Sequence, residues 1–105
     1  TPNESSAASD VYKRQAYTLV AADAGKAIHI STGGVTVPNA VFSAGDAITI
    51  INNSGSSQTI TQGTNVTMYN TADAATGNRA LAGRGIATMY FVDSSTAYIS
   101  GSGLS

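Results

Sequence analysis

The 105-residue chain has no cysteine and no tryptophan, and only 10% of its residues are charged. The absence of cysteine excludes disulfide bonds, thiolate nucleophiles and thiolate metal ligands. The charged fraction is far below the roughly 25% usual in soluble domains, and the net charge of −1 offers no basic surface for nucleic acid or an anionic membrane. No apolar run approaches the ~20 residues that a membrane helix needs. We therefore predict neither nucleic-acid binding nor membrane insertion.

The abundant residues are small or hydroxylated. Threonine, serine, alanine and glycine recur throughout the chain, with isoleucine and valine between them. A surface covered by hydroxyl and amide groups is common in extracellular β modules and in viral shell proteins. The length fits one domain around one core.

Residues 5–15, SSAASDVYKRQ, differ from the rest of the chain because they hold Lys13 and Arg14, two of its five basic residues. This segment resembles, residue for residue, the one-frame translation of the adaptor used in transposase-based sequencing libraries. We therefore interpret residues 1–15 as a non-native, adaptor-derived or disordered segment that packs against nothing. Residues 16–105 are then a single β module, the C-terminal part of a longer protein. The alternative is a flexible basic arm that binds a polyanion, which needs more cations than these two.

Short alternating apolar runs, separated by Gly, Pro, Asn and Asp, follow from Ala16 onward. No stretch of ten residues has helical spacing, and only residues 21–25 allow a helical turn. We predict an all-β fold, a small antiparallel β-sandwich or jelly-roll-like module of about seven or eight short strands. The loop at residues 52–57 suits a hairpin, and RALAG is a short strand that closes at Gly83. The predicted core is Leu19, Ile28, Ile30, Val35, Val37, Phe42, Ile48, Ile50, Ile60, Met89, Phe91 and Ile99.

The run from Gly85 to Asp93 is the strongest strand and is apolar on both faces. Ile86, Thr88, Tyr90 and Val92 lie on one face, and Ala87, Met89 and Phe91 lie on the other. One sheet buries only one face of a strand in its own core, so the other face needs a partner. We therefore predict a homo-oligomer with this strand near the interface.

His29 is the only histidine, and it lies mid-strand between two isoleucines. Pairing it with Asp23, Asp46, Asp73 or Asp93 and one of many serines would make a catalytic triad only if geometry supported it. We interpret His29 as a solvated strand residue and the aspartates as turn formers. The predicted protein is not an enzyme and has no catalytic, cofactor-binding or metal-binding residue.

Two loops carry the candidate receptor contacts. Residues 52–57 and 71–78 are rich in Asn, Ser, Thr and Gly, which suits hydroxyl-rich glycans. The second loop offers oxygen ligands for an ion, yet it lacks a calcium-site spacing. Simple solvation of both loops is the alternative. The candidate contact residues are Asn52, Asn53, Ser54, Asn70, Asp73 and Asn78.

Four segments occur in an order that resembles the small β modules at the C-terminal ends of bacteriophage tail-fibre and other virion structural proteins. They are YTLVAADAGKAIHIS, VTVPNAVFSAGDAITIIN, ITQGTNVTMYN and GIATMYFVDSSTAYISGSGL. The opening Y-T-L, followed by D-A-G-K at residues 23–26, and T-V-P at residues 36–38 match that family. Phe42 and Gly45 match its later F-x-x-G, and Tyr98 takes the place of a frequent Trp before the final Gly.

The resemblance implies a non-catalytic virion structural module that supports host attachment, without a cofactor. It also implies a homotrimer located on the virion, an extracellular particle, with other virion proteins and a host-surface glycan as partners. One alternative is a carbohydrate- or receptor-binding tip in which Tyr69, Tyr90 or Tyr98 stacks on sugar rings. Another is a bacterial surface adhesin module. Asp23 and Gly25 are expected to form a turn, and Phe42 to cap the core.

Overall fold

The computed structural model describes residues 10–105, with side chains from Tyr12 onward, as one sheet of nine strands. The predicted all-β class is confirmed: this part of the chain has no α-helix and one 3₁₀ turn at Ala21–Asp23. The strands are β1 (Asp10–Lys13), β2 (Tyr17–Thr18), β3 (Ala27–Ile30), β4 (Val35–Val37), β5 (Ala47–Asn52), β6 (Gln58–Gln62), β7 (Thr67–Asn70), β8 (Arg79–Asp93) and β9 (Thr96–Leu104).

The first six strands alternate between two parallel stacks. β1, β3 and β5 pair side by side in one stack, and β2, β4 and β6 pair in the other. Each crossing of the chain therefore adds one strand to the opposite stack, as in the coils of a solenoid. Inward side chains of both stacks belong to the same buried cluster, so the stacks are two layers around one core.

β8 closes this double stack because it pairs antiparallel with the last strand of each. Its residues 79–81 lie against β6, and its residues 86–90 lie against β5. The strand runs on through Gly83, so the prediction of a separate short strand ending there is wrong. β9 runs antiparallel along β8, as predicted for the turn DSST, and β7 lies parallel to β9.

The layering is sandwich-like, but the strands are not all antiparallel. Of the eight pairings among residues 10–105, five are parallel and three are antiparallel. Alternation of apolar residues determines which face of a strand is buried and carries no information on the direction of its neighbour. The predicted hairpin at residues 52–57 is wrong for this reason, because β5 and β6 belong to different stacks.

The prediction that residues 1–15 pack against nothing is wrong for β1. This strand pairs in parallel with β3, and the Tyr12 ring stacks on His29 with centroids 4.3 Å apart. The edge of β3 offers unpaired backbone groups, and an extended segment satisfies them without an alternating apolar pattern of its own. Residues 1–9 lie outside the described residues, and the origin of the segment stays a prediction.

All twelve predicted core residues are buried. The predicted cap is confirmed, because Phe42 is 2% exposed and its ring lies 4.8 Å from that of Phe91, centroid to centroid. The core also contains residues that the prediction left out, from β7 to β9 and the turn before β7. They are Val66, Met68, Leu81, Ala87 and Ala97.

Side-chain amides of two glutamines accept hydrogen bonds from backbone N–H groups of neighbouring chain segments. Gln58 Oε1 accepts a hydrogen bond from the Gly34 N–H at 3.2 Å, and Gln62 Oε1 accepts one from the Met68 N–H at 2.8 Å. Gly34 has φ +69°, and a Cβ there would overlap the Thr59 carbonyl oxygen, so only glycine fits beside this contact. Every buried side-chain nitrogen and oxygen atom in the described residues has a hydrogen-bond partner. Neutral side-chain amides thus provide hydrogen bonds between neighbouring turns of a chain with few charges.

The turn before β3 is built around a buried carboxylate. Asp23 is 3% exposed, and its Oδ2 accepts hydrogen bonds from the Tyr17 hydroxyl at 2.6 Å and from the Val20 N–H at 2.9 Å. Gly25 has φ +77°, as predicted for this turn. Burial, followed by the hydrogen bond to Asp23 and its negative charge, raises the pKa of Tyr17 to about 12.

Candidate functional site

Six strands present one continuous outer face on the side of the sheet opposite the core. Their order is β1, β3, β5, β8, β9 and β7. β8 lies at the centre of this outer face, and its inner residues Met89 and Phe91 have no exposed surface. Its outer residues Ile86, Tyr90 and Val92 are 49%, 48% and 42% exposed. The predicted two-faced character of this strand is therefore confirmed, with one face in the core and the other open in the single chain.

Three tyrosines form a row across one end of the outer face. Tyr69 on β7 is opposite Tyr98 on β9, and Tyr98 is opposite Tyr90 on β8. Directly paired residues project from the same side of a sheet and their side chains approach each other. The Tyr69 and Tyr98 rings are stacked with centroids 5.3 Å apart. We call these residues the tyrosine row.

A second row of small side chains lies two residues further along the same strands, about 7 Å from the tyrosine row. It joins Ser100 on β9, Thr88 on β8 and Thr49 on β5, and continues to Ala27 on β3. Ser100 and Thr88 are exposed, and Thr49 is half-buried. This hydroxyl row forms the floor of a shallow trough.

A third row of larger side chains forms the other wall of the trough. Ile86 on β8 is opposite Ile51 on β5, Ile51 is opposite His29 on β3, and His29 is opposite Tyr12 on β1. The outer face thus alternates an aromatic ridge, a hydroxylated floor and an apolar ridge. Between β5 and β9, none of the three rows carries a charged side chain.

A cleft opens at the β7 end of the tyrosine row and has a volume of about 380 Å³. We call it the tyrosine cleft; it is lined by Tyr69, Asn70, Thr71, Ala74 and Tyr98. The Asn70 carbonyl accepts hydrogen bonds from the N–H groups of Asp73 and Ala74, so a tight turn shapes one wall. Ala74 has φ +61°, a left-handed conformation that this turn imposes on a non-glycine residue.

A smaller cleft of about 250 Å³ lies at the other edge of the sheet. Its lining includes Lys13 and Arg14, which belong to the segment interpreted as adaptor-derived, together with His29 and Asn53. Its volume is below the range of about 300–1,000 Å³ usual for ligand pockets. We therefore take the tyrosine cleft as the better candidate for a binding site.

The loop after β5 does not present all of its predicted receptor contacts. Asn52 has no exposed surface, so the interpretation of this residue as a receptor contact is wrong. Its Nδ2 donates to the carbonyl groups of Leu81 and Ala82, both at 3.0 Å, and anchors the loop on β8. Asn53 is exposed and its Oδ1 accepts a hydrogen bond from Arg84, whereas Ser54 is half-buried.

The loop after β7 contains the other three predicted contacts. Asp73 and Asn78 are exposed, and Asn78 Oδ1 accepts a hydrogen bond from the Gln62 N–H at 2.9 Å. Asn70 is only 6% exposed, yet it lies in the lining of the tyrosine cleft. The structure therefore brings Asn70 together with Tyr69 and Tyr98, and it leaves Asp73 and Asn78 outside that group.

The aspartates act as turn formers, as predicted. Each accepts a hydrogen bond from a backbone N–H close to it in sequence: Asp46 from Ser43, Asp73 from Ala75 and Asp93 from Ser95. The hydrogen bond from the Ser95 N–H is the main reason that the pKa of Asp93 is lowered from its usual value. Within residues 10–105, no group of three His, Asp or Glu side chains is placed to hold a metal ion. The same residues include no helix of the length and apolarity required to span a bilayer.

The sequence identified the three tyrosines individually, but it did not place them in one row. Ile51 and the hydroxyl row were not recognised as parts of a site, because threonine, serine and isoleucine are ordinary strand residues. Only the register between strands that are distant in sequence reveals the arrangement. The apolar residues on both faces of β8 were the one feature of the sequence that indicated the outer face.

No protein-family model matches the chain, and no curated protein matches it in sequence. The outer face and the tyrosine cleft are therefore interpreted from their own geometry and chemistry.

Proposed function

We propose that the chain is a non-catalytic structural module of a bacteriophage particle-surface fibre that assembles through its outer face and supports host attachment. The observation that carries the proposal is the exposure of β8. Ile86, Tyr90 and Val92 are each more than two-fifths exposed on a strand whose other face is fully buried. Exposed apolar side chains grouped on one face of a central strand support an interaction site rather than a solvated face.

The chemistry of the outer face suits a second copy of the same chain. Its central rows are uncharged and combine an apolar ridge with a hydroxylated floor, so a ridge of one copy fits the trough of another. Identical chains meet with closed symmetry in most soluble oligomers. The motif resemblance to virion fibre modules favours a homotrimer, located on the particle with other virion proteins as neighbours.

The proposal is tested by placing a charge on the apolar ridge. Ile86→Glu introduces a carboxylate into the centre of the interface, where burial without a partner is unfavourable. We expect the parent chain to have the mass of a trimer by light scattering and Ile86→Glu to have that of a monomer. Thr59→Glu is the matched control, because Thr59 is an exposed strand residue on β6, outside the three rows.

A parent chain that stays a monodisperse monomer would contradict the assembly through the outer face. Equal masses for the parent and the Ile86→Glu variant would contradict the assignment of the interface to β8. Proteomic detection of the parent protein in purified particles supports the virion location, whereas its detection only on bacterial surfaces supports the adhesin alternative.

A further inference from the structure

We infer that the tyrosine cleft binds a neutral hexopyranose unit of a surface glycan, with the C–H face of the sugar against Tyr98 and Tyr69. This inference rests on the proposed attachment function and gives the chemistry of the receptor. It concerns the β7 and β9 end of the outer face, whereas Ile86 and Val92 of the proposed interface lie on β8. A sugar site and an assembly surface therefore occupy neighbouring parts of the outer face.

The size and lining of the tyrosine cleft fit a small polar ligand with an apolar face. Its volume of about 380 Å³ lies within the usual range for ligand pockets. Two aromatic rings meet there with an asparagine and a threonine. Such pockets combine an apolar surface with a few polar groups that fix the orientation of the ligand.

The two rings are held in place before any ligand arrives. Tyr69 and Tyr98 are directly paired on adjacent strands and stack with an angle of 29° between the rings. Tyr98 is 42% exposed, so part of its surface is open to a ligand. The face of an aromatic ring carries partial negative charge and attracts the polarised C–H groups of a pyranose ring. Because the strands fix the rings, little side-chain freedom is lost on binding.

Polar groups surround this aromatic surface on one side. Asn70 and Thr71 line the tyrosine cleft, and the Asn70 carbonyl accepts hydrogen bonds from the following turn. The Thr71 hydroxyl both donates and accepts hydrogen bonds, which matches the hydroxyl groups of a sugar.

The charge of the lining indicates which sugars fit. None of the residues that line the tyrosine cleft is charged. A uronic acid or sialic acid needs a cation to offset the desolvation of its carboxylate, and the lining does not provide one. Neutral hexoses bring no such cost, so we assign the cleft to them.

The test uses the full chain with lactose, cellobiose and maltose as neutral probes and sialyllactose as the acidic probe. Binding is followed by NMR titration of the cleft amides, and the dissociation constant is compared among variants. We expect at least one neutral disaccharide to bind, and Tyr98→Ala and Tyr69→Ala each to weaken it by about tenfold or more. Tyr98→Phe keeps the ring and should remain close to the parent.

Tyr12→Ala is the matched control, because Tyr12 is 63% exposed and stacked on an aromatic ring at the opposite edge of the sheet. We expect this variant to bind like the parent. Absence of binding for all three neutral probes, or tighter binding of sialyllactose than of lactose, would overturn the inference. So would equal losses in the Tyr98→Ala and Tyr12→Ala variants.

Failure of this inference can be distinguished from failure of the proposed function. The mass of each variant in solution reports assembly, and the titration reports sugar binding. A chain that assembles but binds none of the neutral probes contradicts the sugar site and leaves the structural module intact. A chain that binds a neutral probe at the tyrosines but does not assemble supports the sugar site and contradicts the assembly.

Discussion

Tyr17 illustrates how a single residue couples the stability of the fold to pH. Its hydroxyl donates to the buried Asp23 carboxylate, and ionising it would bring two negative charges together. Burial and this contact raise the pKa of Tyr17 from its ordinary value of 10.0 to about 12. The folded state therefore holds the phenolic proton more tightly than the unfolded chain does.

We predict that this contribution is fully present below about pH 10 and is lost as the pH rises toward about 12. Chemical unfolding of the parent at a series of alkaline pH values should show a decrease in stability through that window. The Tyr17→Phe variant has no proton to lose at this position, so its pH dependence in the same window should be weaker. Identical slopes for the two proteins would show that Tyr17 is not responsible.

Asn52 shows why individual site residues were difficult to predict. In sequence it opens a polar loop and is indistinguishable from Asn53, which is exposed. In the structure it is buried, because its amide reaches carbonyl groups of residues 81 and 82 on β8. A buried polar group is tolerated only when it has such partners, and partners about thirty residues away are not visible in a local pattern.

At the scale of an element, β5 contains two adjacent isoleucines that differ in burial. The effect of burial on stability can therefore be compared at one residue type. Ile50 has no exposed surface, whereas its neighbour Ile51 is half-buried on the outer face. We predict that Ile50→Ala lowers the free energy of unfolding by about 2–5 kcal/mol, because it leaves a cavity in the core. Ile51→Ala, the control on the same strand, should cost less than Ile50→Ala in the monomer, because part of its side chain is already exposed. Equal losses in denaturant unfolding would contradict the assigned faces.

β1 makes a different prediction, because its last residue is hydrogen-bonded to the residue that follows β3. The Lys13 carbonyl accepts a hydrogen bond from the Ser31 N–H at 3.2 Å. Deletion of residues 1–15 should therefore accelerate hydrogen exchange at Ser31 and leave the amide of Thr49, which donates to Lys26, protected. An unchanged exchange rate at Ser31 would show that β1 does not dock on β3 in solution.

The elements that sequence predicted well are those defined by alternation. Runs such as AIHI and AITIIN gave the buried faces of β3 and β5 correctly, because the period of a strand is local information. The parallel pairing of the stacks was missed, because the partner of a strand is set by crossings of about twenty residues. β8 was predicted as two separate strands, because glycine is common where strands end. In the structure Gly83 and Gly85 lie within one continuous strand that has an irregularity in its pairing.

At the scale of the whole molecule, one strand connects the fold to the proposed function. β8 completes the core with its inner face and forms the centre of the outer face with its other side. The sequence predicted that this second face needs a partner, but it did not reveal the rows on either side. Those rows come from β5, β7 and β9, whose register is fixed by pairing across the sheet.

The central claim, that the centre of the outer face around β8 is covered in the assembled protein, is tested most directly by tyrosine nitration mapped by mass spectrometry. In a single chain Tyr12 is 63% exposed and Tyr90 is 48% exposed, so both should react. In the assembled chain we expect Tyr90 to be protected while Tyr12, at the β1 edge, is nitrated, and we expect Ile86→Glu to restore nitration of Tyr90. Nitration of Tyr90 at the same rate as Tyr12 in the concentrated parent chain would contradict the claim.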